Sequence, residues 1–153
     1  MRHLYIATLV TLAFVSTVNA AGQAKHLFIL SGQSNMARLD PNISFTPTVE
    51  AAFGKDNVTV VKDAESGAPI RRWYKEWKLA KGDKPQLKAD LYDRLMEKVN
   101  AQIKEQKFTT VTFVWMQGES DATHGCGSVY ADSIKGLLDQ LSKDLQRKDI
   151  SFN

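Results

Sequence analysis

The chain has few of the residues that mark several common classes of protein. Cys126 is the only cysteine among 153 residues, so no disulfide can form within the chain and stability must come from the hydrophobic core. Net charge is also small: 20 Lys and Arg oppose 17 Asp and Glu, which gives +3, and the two signs are interleaved. A nucleic-acid-binding protein normally carries a basic patch or stripe. We therefore expect no nucleic-acid partner.

Long apolar runs are missing as well, except at the amino terminus. A basic start precedes an apolar run over residues 4–15, and Val18 and Ala20 then supply the small residues of a cleavage site. The run is shorter than the roughly 20 residues of a membrane span. The pattern predicts a secretory signal peptide over residues 1–20, cleaved after Ala20, and a secreted or periplasmic protein without a membrane span; a retained anchor is the alternative. Residues 21–153 then have the length of one domain.

Strand-like and helical segments alternate after the predicted cleavage site. Short apolar or β-branched runs predict strands over residues 26–30, 57–62, 109–116 and 150–153. Apolar residues recur at helical spacing in residues 87–103 and 130–145, which predicts two amphipathic helices. Strands separated by helices of this length form βαβ units. We therefore expect an α/β fold with a parallel sheet and helices on both faces.

Two further expectations concern the parts between and after these elements. Residues 37–53 are irregular and contain Pro41 and Pro47, which predicts a long surface loop. The fourth strand begins in the last residues of the chain, so we expect residues 21–153 to be a partial domain, truncated at the start of that strand. The third strand, residues 109–116, would then be an unpaired apolar edge, and such edges favour aggregation.

The first candidate catalytic residue follows the first strand. In LFILSGQSNM an apolar run ends at Leu30, just before Ser31, and Ser34 comes where a helix should begin. The carboxyl end of a strand in an open α/β sheet is the usual place for a ligand or for chemistry, and the N–H groups of a helix start can bind an oxyanion. The second glycine of a G-x-S-x-G nucleophile turn is absent. A helix cap or turn residue is the alternative interpretation.

Two more polar stretches follow the second and third strands. In ESGAPIRRW, Gly67 could bring a backbone N–H close to a substrate, or could be an ordinary turn glycine. In WMQGESDATHG, Gln117 could donate its side-chain amide to an oxyanion. Glu119 and Asp121 could bind a metal or be solvated turn residues. No Cys or His spacing supports a metal site, and we expect none.

The chain resembles the SGNH hydrolase superfamily in three motifs that occur in the same order: G-Q-S-N-M, G-x-P-I-x-x-W and W-x-Q-G-E-S-D. Within that superfamily it looks like the sialate O-acetylesterase-like group, which includes the acetyl xylan esterases of carbohydrate esterase family six. The resemblance covers about residues 25–153. It implies a flavodoxin-like sheet of order 2-1-3-4-5 and no cofactor. The implied activity is that of an exported carboxylic ester hydrolase, which removes O-acetyl groups from a carbohydrate such as acetylated xylan or sialic acid.

The resemblance also implies a role for each matched residue. Ser34 would be the nucleophile, and its own N–H would contribute to the oxyanion hole. Gly67 would supply a second backbone N–H, and Gln117 a side-chain donor. The residues that would support the two turns are Asn35, Gly118, Glu119 and Asp121.

The base that must activate the serine is harder to find. A serine hydroxyl needs a base to take its proton, and the resembled family supplies an Asp-x-x-His pair near the carboxyl terminus. His26 precedes the first strand, at the wrong end of the sheet, whereas Asp121 and His124 form such a match in the sequence DATH. That match would have to fold back over Gln117. We therefore expect the true pair to be absent from these residues and the chain to be nearly inactive; His124 with Asp121 is the alternative base.

A second class of function is a non-catalytic or degenerate carbohydrate-binding domain on the same fold. Trp73, Tyr74 and Trp77 could stack on a sugar ring, or could pack under the long loop. Arg71 or Arg72 could contact a polar substrate, or form a solvated pair. The nucleophile together with two oxyanion donors favours the esterase, because a binding protein needs none of them. No sequence feature indicates an oligomeric state.

Overall fold

The structure is a computed structural model that describes residues 23–79, 89–104 and 106–153. The predicted signal peptide, residues 1–20, lies outside these ranges. The strands are β1 (His26–Gly32), β2 (Val58–Ala64), β3 (Thr110–Met116) and β4 (Ile150–Phe152). All pairs are parallel, in the order β2-β1-β3-β4. This confirms the predicted flavodoxin-like α/β fold, with β1 at the centre of the sheet.

Helices cover both faces of the sheet, as predicted. The structure has α1 (Ser34–Arg38), α2 (Phe45–Phe53), α3 (Asp90–Ile103), α4 (Glu119–Thr123) and α5 (Gly127–Asp144), with short 3-10 turns at Lys55–Asn57 and Ile70–Arg72. The apolar sides of α3 and α5 pack in one core cluster, and α1 and α2 pack in the other. The first two residues of the predicted helix 87–103 lie outside the described ranges. None of the helices in those ranges is long and apolar enough to cross a membrane.

The central strand contributes to both cores because successive side chains point to opposite faces. Leu27 and Ile29 pack with α3 and α5, whereas Phe28 and Leu30 pack with α1 and α2. All seven residues of β1 are buried. Burial on both sides explains why β1 is a continuous apolar run rather than an alternating one.

The prediction of a loop over residues 37–53 is wrong, because α2 forms from Phe45 to Phe53. Pro47 is the third residue of α2, in the first turn, where a backbone N–H would have no helical partner; proline therefore costs little there. Phe45 and Val49, four residues apart, pack against the second core cluster. Tertiary packing of this apolar side outweighs the low helix propensity that the prolines suggest.

The prediction that β3 would be an unpaired edge is also wrong. β4 pairs with β3 from Val111 to Phe113. The pairing extends further, since Asn153 N–H donates to the Phe113 carbonyl at 3.1 Å and Trp115 N–H donates to the Asn153 carbonyl at 2.8 Å. The outer strand is β4, where Phe152 keeps 42% of its surface exposed.

A buried phenol makes the stability of the fold depend on pH. Tyr92 of α3 is 1% exposed, and its hydroxyl donates to Asp144 Oδ2 of α5 at 2.7 Å. Burial, followed by this hydrogen bond, raises the pKa of Tyr92 far above its ordinary value. Above about pH 10 the unfolded chain loses the phenolic proton while the folded chain keeps it. The contribution of Tyr92 to stability is therefore complete below about pH 10 and is lost as the pH rises further.

We expect Tyr92→Phe to flatten the alkaline part of the stability curve. In the wild type, this one group should lower the free energy of unfolding by about 1.4 kcal/mol per pH unit above about pH 10. Phenylalanine has no proton to lose, so the variant lacks this slope, although it also loses the hydrogen bond at every pH. Urea unfolding at a series of pH values measures both effects. Equal alkaline slopes in the two proteins would contradict the assignment to Tyr92.

Candidate active site

The three predicted site segments emerge at one edge of the sheet. In the parallel register, Gly32 at the end of β1 lies opposite Ala64 of β2 and Met116 of β3. Ser34, Gly67 and Gln117 each follow one of these strand ends within a few residues. The sheet therefore brings together residues that are far apart in sequence, at the edge where open α/β sheets hold their ligands.

The turn that carries Ser34, residues 32–34, is built on a close approach of two backbones. Gly32 has φ +139°, and a Cβ placed there would lie 2.2 Å from the Met116 carbonyl oxygen. The next residue, Gln33, donates its N–H to that same carbonyl at 2.8 Å. Ser34 is the first residue of α1 and is partly exposed. Its N–H is one of the helix-start donors that have no partner within the helix.

Gln33 is only 4% exposed and belongs to the site, although it is not among the residues predicted from the sequence. Its Oε1 accepts from Gln117 Nε2 at 3.2 Å and from Ser120 N–H at 3.1 Å. Gln33 thus ties the turn that carries Ser34 to the segment after β3. The available signal was its position between the apolar strand and Ser34, where a long polar side chain must find a partner if it is buried.

The Gly67 turn presents an unoccupied backbone donor. Gly67 has φ +70°, a conformation that glycine adopts without strain. Its carbonyl accepts from Ser120 Oγ at 3.0 Å. No acceptor within the described ranges meets its N–H. The turn is therefore anchored on its carbonyl side, and its N–H remains free to bind a ligand.

The side-chain amide of Gln117 points to protein acceptors. Nε2 lies 2.6 Å from Asp121 Oδ2 and 3.2 Å from both the Ala68 carbonyl and Gln33 Oε1. Tyr130 supports the backbone of Gln117 by donating its hydroxyl to the Gln117 carbonyl, and it accepts from Trp115 Nε1 at 3.1 Å. Burial raises the pKa of Tyr130, so it remains a neutral donor.

Asp121 and His124 do not form the pair that the DATH match suggested. Asp121 is 1% exposed, and its Oδ2 accepts from Ile70 N–H at 2.8 Å as well as from Gln117. His124 is exposed at the end of α4 and donates from Nδ1 to the Ser120 carbonyl at 2.6 Å. Asp121 lies in α4 and is held by Gln117 and Ile70, whereas His124 follows the end of α4 and is held by the Ser120 carbonyl, so the two side chains have different partners. His26 lies at the opposite end of β1, next to Thr110 Oγ1 at 2.8 Å.

The remaining supporting residues lie between the two turns. Asn35 donates from Nδ2 to Glu119 Oε1 at 2.9 Å, which links α1 to α4 on the surface beside Ser34. Gly118 occupies the N-cap position of α4, with Tyr130 next to it. In the part of the chain that the structure describes, no three His, Cys, Asp or Glu side chains lie close enough together to hold a metal ion.

The aromatic residues proposed as a sugar platform are mostly in the core. Trp73 is 0% exposed and Trp77 is 2% exposed, so neither ring can stack on a sugar. Arg72 pairs with Asp90, and the Arg71 guanidinium lies 6.0 Å from the centre of the Trp77 ring. The structure therefore supports the packing alternative for the tryptophans. The carbohydrate-binding alternative no longer has two of the three aromatic rings that were proposed to stack on a sugar.

Fold and site together define a flavodoxin-like α/β protein whose candidate site centres on a serine at the start of the helix after the central strand. Comparison with known families then gives a specific match. The chain belongs to the family described as carbohydrate esterase, sialic acid-specific acetylesterase, whose model matches residues 37–153. The matched range begins after Ser34, so it covers the Gly67 and Gln117 segments but not the turn that carries Ser34.

A solved structure has the same fold. A protein from Arabidopsis thaliana matches with a TM-score of 0.65 over 84% of this chain and 73% of that protein, at 17% sequence identity. At this identity the likeness shows the fold alone. Comparison with curated proteins gave no match.

Proposed function

We propose that the protein is an exported serine esterase that removes O-acetyl groups from a carbohydrate through an acyl-enzyme. The supporting observation is the network around Gln33 Oε1, which hydrogen-bonds to Gln117 and Ser120. Because Ser120 also holds the Gly67 carbonyl, one network joins the three motif segments next to Ser34. Family membership supports a carbohydrate ester as the substrate.

The chemistry follows from the positions of the donors. The Ser34 hydroxyl attacks the acetyl carbonyl carbon, and the N–H groups of Ser34 and Gly67, which meet no acceptor within the described residues, bind the oxyanion that forms. The bond to the sugar oxygen then breaks, and the sugar leaves with a proton. Water hydrolyses the acetyl-serine to acetate and restores the hydroxyl. The family resemblance adds a third donor, the Gln117 amide, whose hydrogens already meet protein acceptors in this structure.

The proton on Ser34 needs a base in this scheme. No side chain in the described ranges is hydrogen-bonded to the Ser34 hydroxyl. His124 as the base would require its ring to leave the Ser120 carbonyl and to work without Asp121. We expect residues 21–153 alone to be slow for this reason, and a small base such as imidazole to raise the rate.

The substrate proposal has two branches, an O-acetylated sialic acid and acetylated xylan. The family description favours sialic acid, and the resemblance to acetyl xylan esterases is the reason to test xylan as well. Acetate release from each polymer or sugar, with imidazole present, compares them directly.

Trypsin should cut after Lys25 and Arg38, so mass spectrometry after brief exposure to p-nitrophenyl acetate should show one added acetyl group on the peptide that contains Ser34. Absence of both acetate and acetyl-serine would reject the esterase.

Export is proposed from the amino-terminal sequence. Expression with residues 1–20 in place should deliver protein outside the cytoplasm whose first residue is Ala21. Protein that stays in the cytoplasm with Met1 retained would reject the signal peptide, without affecting the esterase proposal.

A further inference from the structure

The amide of Gln117 has two hydrogens, and three protein acceptors already surround its nitrogen. Turning the amide over would bring its oxygen against these three acceptors, so the network itself fixes which atom is nitrogen. The shortest contact, 2.6 Å, is to Asp121 Oδ2, a carboxylate that is 1% exposed. One hydrogen meets Asp121, and the other lies between the Ala68 carbonyl and Gln33 Oε1, so to reach an oxyanion Gln117 would have to withdraw a hydrogen from one of these protein acceptors. A buried acceptor that loses its donor is costly.

Asp121 and Gln117 both hold the residues that follow Gly67. Gln117 donates to the Ala68 carbonyl at 3.2 Å, and Asp121 Oδ2 accepts from Ile70 N–H at 2.8 Å. Gly67 itself is exposed, and a Cβ placed there would have no atom within 4 Å. The direction of its N–H therefore depends on these anchors on the following residues and on the Ser120 contact to its carbonyl.

We infer that Gln117 and Asp121 form an amide–carboxylate clamp that positions the Gly67 turn, and that the oxyanion is bound by the backbone N–H groups of Ser34 and Gly67. Gln117 is then a positioning residue and does not donate to the reacting oxygen. This inference rests on the proposed esterase function. It differs from the role that the family resemblance implies for Gln117.

Hydrogen exchange followed by NMR tests the clamp on the full chain without any need for activity. We expect the Gln117 side-chain NH₂ and the Ile70 N–H to exchange slowly in the wild type. Asp121→Asn should accelerate the Ile70 and Gln117 hydrogens at least about tenfold, since an amide replaces part of the acceptor with a donor. The matched control is Asp132→Asn, the same change on an exposed residue of α5 that pairs with Lys135. A wild-type Gln117 NH₂ that exchanges as fast as the exposed Asn35 side chain would overturn the clamp.

Acetate release separates positioning from direct donation. Asp121→Asn and Gln117→Leu should each lower kcat by roughly tenfold to a hundredfold with little change in KM, and the double variant should be no slower than the slower single variant. A direct donor predicts instead a loss of about 10²–10³ for Gln117→Leu, a small effect of Asp121→Asn, and effects that multiply. That pattern would overturn the inference. Asp121→Asn is nearly isosteric and serves alone if Gln117→Leu does not fold. If the wild type with imidazole yields neither acetate nor acetyl-serine, the esterase proposal fails, while hydrogen exchange still decides the clamp.

Discussion

Ser34→Ala is expected to abolish formation of the acyl-enzyme, because the variant has no hydroxyl to accept the acetyl group. In serine hydrolases, loss of the nucleophile or of its base lowers kcat by on the order of a million-fold. The wild-type chain without an added base should therefore already be slow, since no described side chain is hydrogen-bonded to the Ser34 hydroxyl. Imidazole should raise acetate release from the wild type and leave Ser34→Ala at the background rate. The measurement is acetate released from an acetylated sugar at a series of imidazole concentrations.

Ser31→Ala is the matched control for this experiment. Ser31 is a fully buried serine three residues before Ser34, and its hydroxyl has no hydrogen-bond partner within the described structure. Its removal should leave the imidazole response unchanged, because no hydrogen bond is lost. His124→Gln should also leave it unchanged. A rate without imidazole that is high in the wild type and falls to background in His124→Gln would instead make His124 the base. Equal responses of Ser34→Ala and the wild type would reject Ser34 as the nucleophile.

Gly32→Ala is expected to prevent stable folding. A Cβ at this position would lie 2.2 Å from the carbonyl oxygen, 2.6 Å from the carbonyl carbon and 2.8 Å from the nitrogen of Met116. These are backbone atoms of the neighbouring strand, so no side-chain rotation can relieve the clash. The residue also has φ +139°, which side chains rarely adopt. We expect a loss of more than about 4 kcal/mol, at the extreme of single substitutions, visible as loss of the cooperative transition in urea.

Gly125→Ala separates the clash from the backbone conformation. Gly125 has φ +68°, and a Cβ there would have no atom within 4 Å. The substitution should cost only about 1–2 kcal/mol, the strain of the left-handed conformation. If Gly32→Ala proved no more destabilising than Gly125→Ala, β1 and β3 could not approach each other at Met116 as described.

The strands and the long helices could be predicted because they depend on local patterns, whereas the order of the strands was implied only by the family resemblance. Continuous apolar residues in β1 and helical spacing in α3 and α5 are properties of neighbouring residues, which burial rewards directly. The helix α2 could not be found in this way. Pro47 suggested a loop, but a proline destabilises a helix little when it lies in the first turn, as it does here. The helix is stabilised by contacts of Phe45 and Val49 with the second core cluster.

The site shows the same division. Ser34, Gly67 and Gln117 could be selected from the sequence because each follows a predicted strand, and parallel strands end at one edge. Gln33 could not, since its partners Gln117 and Ser120 are 84 and 87 residues away and its burial depends on the strand register. The burial of Trp73 and Trp77 could not be predicted either, because it depends on the residues that pack around them in the folded protein.

The sequence by itself determined the α/β class, the parallel sheet and the edge at which the candidate residues gather, because periodicity and strand ends are local properties. Only the tertiary structure decided which partners those residues have there. It turned the Gln117 amide towards Asp121, separated Asp121 from His124 and buried the tryptophans. The reason is physical: a polar side chain takes whichever partner the packing brings within hydrogen-bonding distance, and that partner comes from distant segments whose approach no local pattern specifies.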